Sequence, residues 1–328
     1  MIYKQVSKIK EQLSVIGIGC WNFGGDWDSS DDRNTENIVL TALDEGINFF
    51  DIAPVYGFYH SEEILGKLLK KHGFRNKIIL ASKCGLRWGN NHVTYNDLSK
   101  DSILWEVDQS LKRLNTDHLD IYQLHWPDPD TNIEETADTL CLLKRQGKIR
   151  YVGLSNFSQK QAEVFGSIIE VNSQQALYNM LERNPVQYHG IPLEYRTEKE
   201  ILPYVKQMGQ AFFPYSPLFQ GLLCGTFKQE NNFSGEDIRN ANPNFSKPLF
   251  TRYYSAAQKL KTLANEIGRP LNEMALNWLR QKEEITSIIA GVDTPDELRD
   301  NLKCLKWELT DEMLVKIEKI IKPFAEEE

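Results

Sequence analysis

The chain has 328 residues, 41% of them hydrophobic and 26% charged, which fits a globular fold and excludes a disordered or fibrous one. Its formal net charge of −8 comes without any basic run, so the expected partner is a small molecule and neither nucleic acid nor an anionic membrane. The five cysteines, Cys20, Cys84, Cys141, Cys224 and Cys304, are scattered without C-x-x-C spacing, and neither a signal-peptide core nor an apolar window of about 18 residues is present; the expectation is reduced thiols, no metal centre and a cytoplasmic protein without membrane spans.

In chain order, short apolar runs alternate with stretches of helical period. The strand candidates Val15–Gly19 and Ile47–Asp51 come first, followed by a helical pattern over Ser61–Lys71 that puts Ile64, Leu65, Leu68 and Leu69 on one face. Lys77–Ser82 is the third strand candidate. Behind it a second helical stripe, Ile103, Val107, Leu111 and Leu114, runs along Ser102–Leu114. Leu119–Leu124, Ile149–Leu154, Val171–Gln175, Ala211–Tyr215 and Ser287–Ala290 complete the strands. This alternation predicts successive βα units on a parallel sheet, and eight of them fit a closed (β/α)8 TIM barrel better than an open doubly wound sheet, although the count alone excludes neither. An open dinucleotide-binding sheet should begin with a glycine fingerprint; Gly17 and Gly19 followed by Gly24 and Gly25 have the wrong spacing, and no helical pattern starts behind them. No linker interrupts the chain, so one α/β domain over residues 1–328 is expected. The segment Gly221–Pro248 is long, rich in Asn, Gly, Ser and Phe, and without period; after the seventh strand of a barrel it is placed to close over a ligand.

Four polar side chains fall at or just past strand ends: Asp51 and Tyr56 after the second, Lys83 after the third and His125 after the fourth. A barrel takes its catalytic groups from there. A phenol is a weak acid, with a pKa of about 10, and a neighbouring ammonium would lower it. On this reading Lys83 tunes Tyr56, Asp51 keeps Lys83 charged and oriented, His125 positions a carbonyl oxygen, and Tyr56 protonates the developing alkoxide. Taken singly, each residue has a plain structural role open to it; their joint placement favours chemistry.

Gly46–Gly57 (GINFFDIAPVYG), Ser61–Gly66 (SEEILG), Leu111–Asp117 with the run on to His125, Gly147–Phe157 (GKIRYVGLSNF) and Tyr215–Leu218 (YSPL) together resemble the aldo-keto reductase superfamily, in its motif order and almost end to end. The resemblance implies that family's barrel, a catalytic tetrad at Asp51, Tyr56, Lys83 and His125, and an extended NADP(H) or NAD(H) across the barrel mouth. It further implies that Ser155, Asn156 and Gln175 hold the carboxamide, that Tyr215 stacks on the nicotinamide, and that Ser216, Leu218 and Gln220 line the pyrophosphate. At the adenine end, Gly291 to Asn301 departs from the usual pattern: Asp293 stands at a commonly basic position and Glu297 at a commonly Arg or Gln one. Two carboxylates repel a 2′-phosphate, whereas Arg239 matches a family arginine near the adenosine. The resemblance leaves NADP(H) slightly ahead of NAD(H). Trp21, Phe58, Trp88 and Trp126 are the expected substrate wall, for a small carbonyl or alcohol.

Two other functions are weighed. In a Schiff-base aldolase Lys83 would be the nucleophile, but that role needs a depressed pKa and Asp51 would raise it. In a regulatory subunit resembling the family's potassium-channel β subunits the cofactor is kept while partners are sensed; the absence of a long N-terminal extension counts against it.

Overall fold

A computed structural model of the chain describes residues 1–25, 32–228, 233 and 237–326. Its centre is an eight-stranded parallel sheet formed by β1 (Ile16–Gly19), β2 (Phe49–Asp51), β3 (Ile79–Cys84), β4 (Leu119–Leu124), β5 (Ile149–Ser155), β6 (Ser173–Leu177), β7 (Ala211–Tyr215) and β8 (Ile288–Ala290). The order β7-β6-β5-β4-β3-β2-β1-β8 curls into a nearly closed barrel. At its seam the Thr286 and Ser287 amides donate to the Phe212 carbonyl (3.0 and 3.4 Å), and the Phe212 amide donates to Thr286 Oγ1 (3.1 Å). All eight expected strands are present, with Val15, Ile47, Lys77, Val171 and Ser287 falling just outside the ladders they were expected to begin.

The strands are buried on both faces: all six residues of β4 are buried, and its two polar ones, Asp120 and Gln123, are hydrogen-bonded. Helices α1 (Asp32–Asp44), α2 (His60–His72), α3 (Lys100–Arg113), α4 (Ile133–Arg145), α5 (Gln159–Ile168), α6 (Leu202–Met208), α7 (Leu249–Glu266), α8 (Leu271–Arg280), α9 (Pro295–Leu302) and α10 (Asp311–Ile321) complete the main framework. Their ends carry local signals: Asn132 accepts from the Glu134 and Glu135 amides at the start of α4, Ser158 and Gln161 form a reciprocal cap on α5, and Gly73 ends α2 in a left-handed conformation.

Two apolar clusters result. The larger lies between sheet and helices; the smaller fills the bottom of the barrel with Phe49, Ile79, Ile121, Phe213 and Ile289. An N-terminal hairpin, Tyr3–Val6 paired with Ile9–Ser14, plugs that bottom with Ile9 and Leu13, leaving the strands' C-terminal ends as the open mouth. Two small hairpins rise at the mouth, Leu86–Trp88 with Thr94–Asn96 after β3, and Gln187–Tyr188 with Ile191–Pro192 after β6. The long segment after β7 contains short 3-10 turns at Phe219–Cys224, Ile238–Ala241 and Pro243–Phe245; its residues 229–232 and 234–236 lie outside the described ones. No helix among the described residues is long and apolar enough to cross a membrane, and no disulfide links the five cysteines.

Candidate active site

A groove of about 790 Å³ crosses the barrel mouth, and it is lined from Asp51, Tyr56 and His125 through Tyr215, Leu218 and Gln220 to Arg239, Asp293, Glu297 and Asn301. Catalytic candidates and adenine-end candidates therefore share one continuous surface.

Beneath the groove the four strand-end residues meet. Lys83 is 0% exposed and Asp51 2%, so neither charge can rely on water. Lys83 Nζ donates to Asp51 Oδ2 (2.6 Å), the Tyr56 hydroxyl oxygen (2.9 Å) and the Ile52 carbonyl (3.2 Å). These bonds use all three ammonium protons. Asp51 Oδ1 accepts from Gln123 Nε2 (3.0 Å) and Gln175 Nε2 (2.8 Å). Gln123 was not singled out in the sequence; it pairs with Lys83 on one side and Gly153 on the other. A methyl group on Gly153 would crowd Gln123 Cγ at 2.7 Å, so the glycine gives that side chain its room.

Since the Tyr56 oxygen accepts from Lys83, its own proton is directed elsewhere, and it meets no acceptor among the described residues. Burial pushes the phenol's pKa well above its ordinary value, and the Asp51 charge adds to this. The net shift is upward, opposite to the lowered value expected from the sequence, because burial and Asp51 outweigh the neighbouring Lys83 charge. Burial also lowers the Lys83 pKa, with Asp51 opposing. His125 lies edge-on to Tyr56, ring centroids 6.1 Å apart; burial and then the Lys83 charge hold its pKa well below the ordinary value, so the ring is neutral. A neutral imidazole keeps one N–H to donate and does not compete with Tyr56 as an acid.

Tyr56 reaches this position on a loop pressed against the one after β1. Gly57, at φ +58°, packs against Gly24 so closely that a methyl group would overlap the Gly24 carbonyl oxygen.

At the end of β5, Asn156 Nδ2 donates to the His125 carbonyl and Ser155 Oγ (both 3.1 Å), while its Oδ1 accepts from Tyr195 (3.0 Å) and Tyr215 (2.8 Å). Its hydrogen-bonding capacity is filled. Asn156, expected to touch a carboxamide, lines the groove and also holds its neighbours in place. Ser155 keeps a hydroxyl proton and Gln175 an Oε1 acceptor, both facing the groove. The turn after β7 is left-handed at Ser216, Phe219, Gln220 and Gly221. Non-glycine residues adopt this conformation at a cost that clusters at functional sites. Tyr188 buries its hydroxyl beside Ser216 and Gln220, and burial pushes its pKa up.

The adenine-end candidates are committed within the protein: Asn22 Nδ2 donates to Asp293 Oδ1 (2.7 Å), Glu297 Oε2 accepts from the Asp293 amide (2.9 Å), and Arg239 pairs with Asp237. Gly291 and Asn301 line the groove beside them. Of the expected substrate wall, Trp21, Phe58 and Trp126 line the groove with Tyr188, His189 and Ile191. Trp88 does not; it stands behind, against Phe58 (5.3 Å) and Tyr59 (4.6 Å), because its hairpin turns it onto the loop that carries them. Among the described residues no group of three His, Cys, Asp or Glu side chains is placed to hold a metal ion.

A sequence profile described as "Aldo/keto reductase family" matches residues 15–322. The chain is 37% identical over 314 residues to the aldo-keto reductase YhdN of Bacillus subtilis, covering 95% of this chain and 91% of that protein. It is 32% identical over 314 residues to an NADH-specific methylglyoxal reductase of Escherichia coli (91% and 92% covered). The solved structure of a glycerol dehydrogenase from Gluconobacter oxydans superposes with a TM-score of 0.86 at 33% identity, covering 99% of this chain and 97% of that one.

Proposed function

The chain belongs to the aldo/keto reductase family and is an oxidoreductase of that class, and from this premise we propose that it reduces a small aldehyde or ketone with NAD(P)H, Tyr56 giving the proton. The observation that carries the proposal is the exhausted donor set of Lys83, which makes the Tyr56 oxygen an acceptor and leaves the phenolic proton to the groove. When bound, the cofactor supplies a hydride to the carbonyl carbon. Tyr56 releases its proton to the oxygen as the π pair moves there, and the adjacent ammonium stabilises the phenolate that remains. His125, neutral, donates to the same oxygen and orients it. Asp51 and the two glutamines keep Lys83 in place. Alcohol oxidation runs the same steps backwards.

The residues fit a nicotinamide dinucleotide. The Ser155 hydroxyl and Gln175 Oε1 form a donor and acceptor pair that complements a carboxamide, with Asn156 positioning the pair; Tyr215 is the stacking face, and the turn holding Ser216, Leu218 and Gln220 follows it. Asp293 and Glu297 carry negative charge at the far end, and the Arg239 charge is matched by Asp237. This favours NADH over NADPH, against the lean the resemblance gives, and it agrees with the NADH-specific relative. The named substrates of the relatives, methylglyoxal and glycerol, are small and oxygen-rich, which supports a small carbonyl for this groove.

The test is Tyr56→Phe, assayed with NADH, NADPH and a panel of short aldehydes. Turnover should fall by about 10²–10⁴-fold, while cofactor affinity, read by fluorescence titration, stays within about twofold. Near-normal turnover in the variant removes Tyr56 as the acid.

A further inference from the structure

Resting on the reading of the groove as a carbonyl reductase site, we propose that His189 is a specificity-determining hydrogen-bond donor, selecting carbonyl substrates that carry a second oxygen, such as short hydroxyaldehydes and hydroxyketones. His189 sits at the tip of the hairpin after β6, at φ +51°, and its ring lines the groove. It lies beyond Trp21, whose ring centroid is 5.9 Å from that of Tyr56 and 6.3 Å from that of His189. The wall between acid and imidazole is therefore aromatic, and His189 introduces a polar group into it.

A chain of hydrogen bonds fixes which nitrogen carries the proton. The Asn244 amide donates to Asn242 Oδ1 (3.0 Å), so the other end of that side chain, Nδ2, is a donor. Asn242 Nδ2 donates to Gln220 Oε1 (3.0 Å), which makes Gln220 Nε2 a donor in turn. Gln220 Nε2 lies 2.7 Å from His189 Nε2, which must accept. The proton of the neutral ring is then on Nδ1, for which no hydrogen bond is found among the described residues. A backbone N–H, whose polarity cannot reverse, sets the direction of the relay. Burial depresses the His189 pKa to about 4, so the ring remains neutral at physiological pH.

The same relay joins the substrate wall to the segment after β7. Gln187, on the hairpin of His189, donates to Asn244 Oδ1 (3.0 Å), and Gln220 lies in the left-handed turn that borders the groove. His189 is thus held by the elements that line the cofactor end, and it presents one donor of fixed polarity. A substrate oxygen that accepts from Nδ1 gains one hydrogen bond; an alkyl chain in its place leaves that N–H unpaired.

The experiment compares glyceraldehyde with butanal in the full-length wild type, His189→Leu and His189→Asn, at saturating NADH. His189→Leu should lower the glyceraldehyde-to-butanal ratio of kcat/KM by about tenfold, mainly through a higher KM for glyceraldehyde. His189→Asn, which keeps an N–H, should retain more glyceraldehyde activity than His189→Leu. Side-chain ¹⁵N NMR of the wild type, which needs no substrate and no variant, should show His189 as the Nδ1–H tautomer. An unchanged glyceraldehyde-to-butanal ratio in His189→Leu, or an Nε2–H tautomer, overturns the proposal while leaving the reductase reading intact. Failure of the wild type to reduce any aldehyde overturns the reductase reading instead, and the NMR result then still decides the tautomer.

Discussion

Tyr56 is held in its protonated form by its surroundings, and this sets the sign of its pH dependence. Its pKa is raised, so under the proposed mechanism the acid for reduction persists through neutral and mildly alkaline solution, whereas the phenolate that would serve as base for alcohol oxidation becomes available only as pH rises. Reduction should stay level between about pH 7 and 9 while oxidation climbs, as initial-rate profiles in both directions will show; an oxidation rate independent of pH counts against Tyr56 as the shared group. At the other end of the groove, Asp293→Lys with Glu297→Gln should raise NADPH affinity relative to NADH by roughly tenfold, because NADH has no 2′-phosphate to feel the lost repulsion. Dissociation constants at one ionic strength measure this, and a constant ratio means that these carboxylates serve only Asn22 and the start of α9. Asp51, Tyr56, Lys83 and His125 were legible in the sequence because each is a polar residue where an apolar run ends. Gln123 carried a weaker signal, an uncharged polar residue inside a strand that is otherwise largely apolar. His189 and Tyr195 carried none, since their roles depend on partners at Gln220 and Asn156, 31 and 39 residues away.

Elements were legible where a run of apolar residues marks them, as even the three-residue ladders of β2 and β8 are marked. The barrel strands announced themselves as apolar runs, whereas the mouth hairpins have arms of two or three residues, too short for any period to register. One of them rests on a buried titratable group: Glu106 of α3 is 2% exposed, accepts from the Gly85 amide (3.0 Å) just before the Leu86–Trp88 arm, and has its pKa pushed by burial to about 8. A carboxyl whose folded pKa exceeds its usual 4.5 binds more protons in the folded state, so its stabilising effect is complete below that value and is lost as pH rises toward about 8. Glu106→Gln keeps an acceptor for Gly85 and removes the ionisation. Thermal unfolding of the variant should therefore depend less on pH between about 5 and 8 than that of the wild type, and parallel curves would place the pH dependence elsewhere.

Across the whole molecule the two ends of the barrel have different work. The mouth holds a buried ion pair and left-handed backbone, both of which cost stability; the bottom is an apolar cluster sealed by the N-terminal hairpin. Leu13, 0% exposed in that seal, should cost about 2–5 kcal/mol when replaced by alanine, measured by chemical denaturation, with kcat at saturating substrate nearly unchanged. A parallel loss of kcat would show that the two ends are coupled. The seal also imposes an order of events on biosynthesis. Lys4 Nζ donates to the carbonyls of Arg280, Lys282 and Ile285 (3.1, 3.0 and 2.7 Å), and the Lys8 amide to that of Gly209 (3.2 Å). Lys4 and Lys8 thus find these partners only after the chain as far as Ile285 has been made, so the plug waits, and the floor of the barrel stays open until then.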